Sequence, residues 1–160
     1  MAATKRSDSP EERKAEFEAY ERLLEEALAE PIKFLKHDNM SHADEKLARL
    51  VAKHGMAWFG WYWLLAELLA GRTDHSYDVS DDYGWRRLAH DMSCMCDMST
   101  DECKAFVAEL DAFGLLSHEH LEEMSKVVIT RVRIDAYAYA ETVATKRFGA
   151  WKTNRKRMLS

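Results

Sequence analysis

Two groups of residues in this chain have side chains of the kinds that bind metal ions. The first group lies within nine residues and comprises His37, Asp38, His42, Asp44 and Glu45. These residues lack the HExxH spacing that places two histidines on one helix face. They also fall in a loop and at a helix start, where acidic and serine side chains commonly cap backbone N–H groups. We therefore interpret them as groups that fix the loop, and we predict no metal there.

The second group combines three cysteines with two later histidines: Cys94, Cys96, Cys103, His118 and His120. Structural zinc sites usually contain a CxxC pair, whereas this chain has CxC. On a helix, two residues separated by one point about 200° apart. We therefore expect buried cysteines among neighbouring methionines, with no metal and no cofactor.

Recognisable catalytic motifs are absent from the sequence. It contains no GxGxxG, no GxxxxGK[ST] and no GxSxG, and no local pattern of a nucleophile with a histidine base. We predict that the protein is not an enzyme.

The last part of the chain is strongly basic. Residues 126–160 carry nine Lys and Arg against Asp135 and Glu141, a net charge of +7 in a chain whose total is −5, which leaves −12 for residues 1–125. Cations of this kind bind nucleic acid through its phosphates. The predicted nucleic-acid-binding residues are Arg131, Arg133, Lys146, Arg147, Lys152, Arg155, Lys156 and Arg157.

Two aromatic residues, Phe148 and Trp151, lie among these cations. Basic grooves with aromatic side chains are used by proteins that stack on unpaired bases. The alternative is a solvated helix end, whose cations favour the negative end of the helix dipole and whose aromatics pack on the body. The sequence leaves both interpretations open.

The composition is that of a soluble globular chain of about one domain. Of its 160 residues, 47% are hydrophobic and 32% are charged. The longest apolar run, Met56–Ala66, is too short to span a bilayer. The N-terminus shows no apolar signal-peptide core, and three cysteines are an odd number for a disulfide framework, so we expect a cytoplasmic location without membrane contact.

A first helix is predicted immediately before Pro31, in an N-terminal segment of residues 1–31. Ser9 and Glu12 form a capping-box pattern with Pro10 at the first helical position. The apolar residues that follow recur at steps of three and four, and the predicted self-association residues are Phe17, Tyr20, Leu24 and Leu28. This stripe packs either on its own domain or on a second copy, and the pattern does not decide between them.

Residues 32–145 contain the remaining predicted elements, followed by a basic tail at 146–160. Helices are predicted at 43–54, 56–70, 81–95 and 100–113, a short strand at 76–79, and a last helix from 134 that decays into the tail. Strands are predicted at 114–121 and 126–132, joined by a turn at 122–125. Helices followed by a β-hairpin are the plan of a winged helix, so the predicted fold class is mostly α, a winged helix-turn-helix with a small β-hairpin wing and an additional N-terminal helix.

The helix at 100–113 occupies the position of the DNA-reading helix in such a fold. It offers Lys104 against four acidic residues, Asp101, Glu102, Glu109 and Asp111. Phosphates would repel this charge, so we do not expect it to bind in the major groove. We predict instead that these four acids form a partner-binding face.

Several segments resemble a known family. FLKHD (34–38), DEKL (44–47), KHG (53–55), GWYWLLAEL (60–68), FGLL (113–116) and VVITRVRID (127–135) are similar to phage proteins related to the N-terminal domain of DnaD-type primosome proteins and phage replisome organisers. The resemblance covers roughly residues 32–157. It implies a winged-helix scaffold that helps to load the replication machinery through DNA and protein contacts, without catalysis.

The leading hypothesis is therefore a replication accessory protein of phage or mobile-element origin. It would bind DNA with weak sequence preference through its basic end, and would contact a replication or host protein or a second copy of itself. The rival hypothesis is a small acidic inhibitor that occupies the basic groove of a host nucleic-acid-handling or defence complex. A transcriptional regulator ranks third because of the acidic helix.

Overall fold

The computed structural model of the chain describes residues 9–33, 44–93 and 97–158. These ranges form seven helices and two short strands. In chain order they are α1 (Pro10–Leu28), α2 (Glu45–His54), α3 (Met56–Ala70), β1 (Tyr77–Asp78), α4 (Asp82–Met92), α5 (Thr100–Ala112), α6 (His118–Met124), β2 (Lys126–Val127) and α7 (Thr130–Met158). The prediction of a mostly helical fold with a small pair of antiparallel strands is confirmed at this level.

The starts of α1 and α5 are fixed by the capping boxes expected from the sequence. The Ser9 hydroxyl accepts the Glu12 backbone N–H at 3.2 Å, and the Glu12 carboxylate accepts the Ser9 N–H at 3.0 Å. Ser99 and Glu102 make the same exchange, at 3.3 and 2.8 Å. Each box satisfies two N–H groups that a helix start otherwise leaves without partners, so local sequence alone places these ends.

Helix α3 lies at the centre of the hydrophobic core. Its Leu65 and Leu69 are fully buried. Phe106 of α5 is also fully buried and meets the rings of Trp58 and Trp61 edge-on, with centroids 5.2 and 5.7 Å away. Fully buried residues from the surrounding helices complete this core: Leu50, Leu88, Met92, Leu110 and Val132.

The two strands come from distant parts of the chain. Tyr77 pairs with Val127 and Asp78 with Lys126 in an antiparallel register, and the Val79 N–H donates to the Ser125 carbonyl at 2.9 Å. On the other side of the same segment, Leu116 forms an isolated antiparallel bridge with Ile129. The backbone of 126–129 is therefore held between residues 77–79 and the segment around Leu116.

The structure corrects the predicted hairpin. Residues 114–121 form no strand beyond the bridge at Leu116, and of the strand predicted at 126–132 only Lys126–Val127 form a strand, β2. Residues His118–Met124 form α6, and α7 already begins at Thr130, so the two segments share the single bridge at Leu116 instead of a continuous hairpin. The sequence of α6 is rich in helix formers, and Ser125 ends the helix in the left-handed conformation at φ 51°. A short alternation of apolar residues, as found here, does not distinguish a strand from a short helix.

The predicted basic tail is not an irregular extension. Helix α7 runs without interruption from Thr130 to Met158 and crosses the boundary expected at 145/146. Its buried residues, Val132, Ala136, Ala140 and Ala144, recur at four-residue steps and form one stripe. Helix α1 packs against α7, so the amphipathic helix at the N-terminus docks on its own chain.

The contact between α4 and β1 gives a prediction about stability. A Cβ atom on Gly84 would lie 2.5 Å from the Asp78 carbonyl oxygen, whereas a Cβ on Gly60 of α3 would meet nothing within 4 Å. We expect Gly84→Ala to lower the free energy of unfolding by about 1–3 kcal/mol, because the backbone at Asp78 must move to make room for the added methyl group. Gly60→Ala should raise it by about 0.5–1 kcal/mol through the helix propensity of alanine.

Urea unfolding of the two variants measures both effects. Since each variant adds one methyl group within a helix, Gly60→Ala is the matched control. A Gly84→Ala protein as stable as the wild type would show that β1 and α4 are not in close contact in solution.

Candidate nucleic-acid interface at the end of α7

The last 13 described residues of α7, 146–158, form the most basic part of the chain. They carry six Lys and Arg and no acidic residue. We call this segment the basic end of α7. The helix that carries it is anchored earlier by Ala140 and Ala144, which are fully buried, and small side chains at such positions let two helices approach closely.

Helix α1 supplies the surface on which the basic end of α7 packs. The ring of Tyr20 meets Phe148 edge-on, with centroids 5.6 Å apart. Arg147 pairs with Glu30 at 2.7 Å and Lys152 pairs with Glu16 at 2.8 Å. Arg147 and Lys152 are thus neutralised by the chain itself.

The two aromatic rings of the basic end already make contacts within the protein. Phe148 and Trp151 stack on each other, with centroids 5.5 Å apart and ring planes 10° apart. The ammonium of Lys152 lies over the Phe148 ring at 4.8 Å, and the guanidinium of Arg155 lies over the Trp151 ring at 5.2 Å. Because these faces already have partners, the arrangement favours packing on the body over stacking on unpaired bases.

The remaining cations of the basic end face solvent. Lys146, Lys156 and Arg157 are exposed, and Arg155 is partly exposed. Phosphate oxygens of DNA could contact such side chains without any movement of the backbone. The surface is suited to electrostatic binding that reads no base sequence.

Arg131 and Arg133 do not belong to this surface. They lie in the first turns of α7, and Arg133 is 13 residues, or about 20 Å along the axis, from Lys146. The Arg131 guanidinium lies 3.8 Å from the Asp135 carboxylate, and Arg133 lies 2.8 Å from a ring nitrogen of His120. The eight predicted nucleic-acid-binding residues therefore form two separate groups.

Three of the four predicted partner-binding acids on α5 have contacts within the chain. Glu102 caps its own helix, and hydrogen bonds from Ser99 hold its pKa below the ordinary value. Asp111 lies 2.8 Å from His118. Asp101 is exposed in the first turn.

Glu109 is the most heavily engaged of these acids. Its carboxylate accepts two hydrogen bonds from Lys53, each 2.8 Å long, and lies 3.0 Å from Nε2 of His54. These hydrogen bonds lower the pKa of Glu109. The contact joins the end of α2 to α5, a role that a count of charges along the sequence cannot reveal.

The predicted self-association residues separate into two sets. Tyr20 packs on Phe148 of the same chain. Phe17 is 65% exposed, and Leu24 and Leu28 are partly buried. The docking of α1 on α7 therefore uses only part of the stripe.

The described residues contain only part of each of the two groups of metal-binding side chains noted in the sequence. His37, Asp38, His42, Cys94 and Cys96 lie outside those residues. Asp44 caps α2, and Cys103 is buried in α5. Among residues 9–33, 44–93 and 97–158, no group of three or more His, Cys, Asp or Glu is placed to hold a metal ion. In the same ranges, no helix is both long and apolar enough to cross a membrane.

A serine–histidine contact at the start of α6 could not be recognised from sequence. The Ser117 hydroxyl lies 2.8 Å from Nδ1 of His120, whose Nε2 lies 2.8 Å from the Arg133 guanidinium. A guanidinium is always a donor, so Nε2 must accept and Nδ1 carries the proton. His120 then donates to the serine and cannot act as its general base, which makes this contact structural.

Comparisons of the chain with protein-family models, with curated proteins and with solved structures find no match in any of the three.

The pair of Asp111 and His118 gives a prediction about pH. The hydrogen bond from His118 to the carboxylate raises the pKa of the histidine above its ordinary value. Because the folded pKa is raised, the stabilisation is complete below the ordinary histidine pKa and is lost as pH rises through the raised value. Asp111→Asn should therefore return the pKa of His118 towards the ordinary value.

NMR titration of the His118 ring measures this pKa directly. Asp101→Asn is the matched control, since Asp101 lies ten residues, or about 15 Å along α5, from Asp111. An unchanged His118 pKa in the Asp111→Asn protein would show that the contact does not persist in solution.

Proposed function

We propose that this chain is a non-catalytic DNA-binding accessory protein of the replisome-organiser type, which contacts DNA through the basic end of α7. One observation carries the DNA-binding part: residues 146–158 contain six cations and no acid on an ordered helix with an exposed side. The replication role is supported by the sequence resemblance to replisome organisers.

The order of elements supports a winged-helix scaffold. Strand β1 precedes α4 and α5, the bridge at Leu116 follows them, and β2 returns to pair with β1. In this interpretation α4 and α5 form the helix-turn-helix, and α6 takes the place of the loop at the tip of the wing.

Helix α5 is poorly suited to enter the major groove. Its outward positions include Asp101, Ala105 and Ala108, and its one cation, Lys104, lies 3.6 Å from Asp82. We propose that this face contacts protein, and that the basic end of α7 holds the DNA.

Binding of this kind depends on phosphates and is therefore sensitive to salt. The logarithm of the binding constant falls with the logarithm of salt concentration, with a slope of about −0.9 for each phosphate neutralised on duplex DNA. Two side chains that each neutralise one phosphate contribute about −1.8 to this slope. The slope therefore measures how many cations contact the DNA.

The first test removes two exposed cations. We expect Lys146→Ala with Lys156→Ala to weaken binding to a fluorescein-labelled 20-base-pair duplex about tenfold at low salt, and to make the salt slope shallower by about 2. The exposed pair Arg86 and Arg87 of α4, both changed to Ala, is the control with the same change in charge. Fluorescence anisotropy at several salt concentrations gives both quantities.

Absence of binding by the wild-type chain at low salt would overturn the DNA-binding proposal. Equal losses in the two double variants would overturn the location at the basic end of α7, because general charge would then explain the binding.

The second test releases the cations that Glu16 of α1 and Glu30, two residues after its end, neutralise. We expect Glu16→Gln with Glu30→Gln to strengthen DNA binding and to steepen the salt slope by up to about 2, because Arg147 and Lys152 lose their carboxylate partners. Glu18 and Glu25 of α1, both changed to Gln, form the control with the same change in charge. If both pairs of substitutions gave the same slope, general charge on α1 would explain the effect.

The inhibitor remains the second candidate, and the charge of α1 favours it. This helix contains seven glutamates and three basic residues, so an acidic surface of about five turns is available to a basic groove on a host complex. A pull-down from host lysate separates the two functions, according to whether replication proteins or a defence complex is recovered.

A further inference from the structure

One side of α1 has an apolar stripe that the contact with α7 leaves uncovered. Phe17, Leu24 and Leu28 line a shallow, open groove along the surface of α1, together with Glu18, Glu21 and Glu25. Phe17 is 65% exposed, and with Leu24 and Leu28 it forms a continuous apolar stripe. From Phe17 to Leu28 the stripe extends about 16 Å, or three helical turns.

The stripe is distinct from the side of α1 that packs on α7. The buried residues Ala19 and Ala27 lie on average about 130° around the helix from Phe17 and Leu28, and Tyr20, which packs on Phe148, lies about 70° from them. The fold therefore does not need the phenyl ring of Phe17 for packing within the chain.

The charge around the groove determines which kind of partner fits. Its rim carries Glu18, Glu21 and Glu25 against Arg22. A second copy of α1 would bring the same acidic rim, and like charges that face each other at a contact oppose association. A helix with lysine or arginine beside its apolar stripe would meet opposite charge at Glu21 and Glu25, and at Glu18, whose carboxylate lies 3.8 Å from the Lys14 ammonium.

Helix α1 already binds one basic helical segment, on the side that packs on α7. The basic end of α7 packs there through an aromatic contact of Tyr20 and through the ion pairs of Glu16 and Glu30. Helix α1 is thus an acidic, amphipathic helix with one basic helix bound and room for another.

We propose that the groove of Phe17, Leu24 and Leu28 is a docking site for a basic amphipathic helix of another protein. The apolar residues of the partner, at i, i+3 or i+4 and i+7, lie on the stripe, and its cations lie beside Glu18, Glu21 and Glu25. The site does not depend on the DNA-binding function proposed above.

The test uses a defined probe, because the partner is unidentified. A fluorescein-labelled synthetic helix of 18 residues, with a leucine stripe flanked by lysines, is titrated with the full chain and followed by anisotropy. A second peptide carries the same leucines flanked by glutamates. We expect the lysine peptide to bind at least tenfold more tightly than the glutamate peptide.

Two further variants locate the site. Phe17→Gln should weaken binding of the lysine peptide at least fivefold, while Tyr137→Gln, a control at an exposed aromatic residue on α7, should leave it unchanged. Glu21→Lys with Glu25→Lys should reverse the preference between the two peptides. Circular dichroism of each variant confirms that the helices remain folded.

Three results would overturn the proposal: equal binding of the two peptides, binding that Phe17→Gln does not change, or a dimer in light scattering that Phe17→Gln dissociates. The last would identify a second copy as the occupant. Phe17→Gln should leave DNA affinity unchanged, so failure of this site and failure of the DNA interface are recognised separately.

Discussion

The burial of α3 is the constraint on which the rest of the fold depends. This helix is apolar on nearly all sides, and such a helix is stable in water only when other elements surround it. Leu65 and Leu69 reach full burial because α2, α4, α5 and α7 contribute side chains to the same cluster. The outward faces of these surrounding helices then carry the charges, so the position of α3 decides which charges reach solvent.

The stripe of alanines on α7 extends the fold beyond this core. Val132 and Ala136 belong to the cluster around α3, whereas Ala140 and Ala144 lie farther along and are buried as well. Helix α1 packs on α7, and it brings Glu16 and Glu30 beside two cations of the basic end. The same contact that orders the basic end therefore reduces the positive charge that it can offer to DNA.

Ion pairs also reduce the negative charge that α5 presents to other molecules. Glu109 holds Lys53 and His54, and Asp111 holds His118, so these acids connect α5 to α2 and α6. Paired charges present a weaker field to a distant partner than the same number of isolated charges. The exposed acidic surface is provided more by α1 than by α5.

The sequence by itself determined six of the seven described helices, the two capping boxes and the segment that forms the core. Ser9 with Glu12 and Ser99 with Glu102 act over three residues, and the apolar run of α3 is evident without knowledge of its neighbours. Such local interactions are independent of the tertiary structure. The strand prediction at 114–121 was wrong because a pattern of only about seven residues does not distinguish a short helix such as α6 from a strand.

Only the tertiary structure decided that α1 docks on its own chain and that its Tyr20 packs on Phe148 of α7. It also decided which charges are paired within the chain. Glu30 and Arg147 are 117 positions apart, and no periodicity connects residues at that separation. Their contact exists because the alanine stripe lets α1 approach α7, and that approach is a property of packing that a linear pattern does not contain.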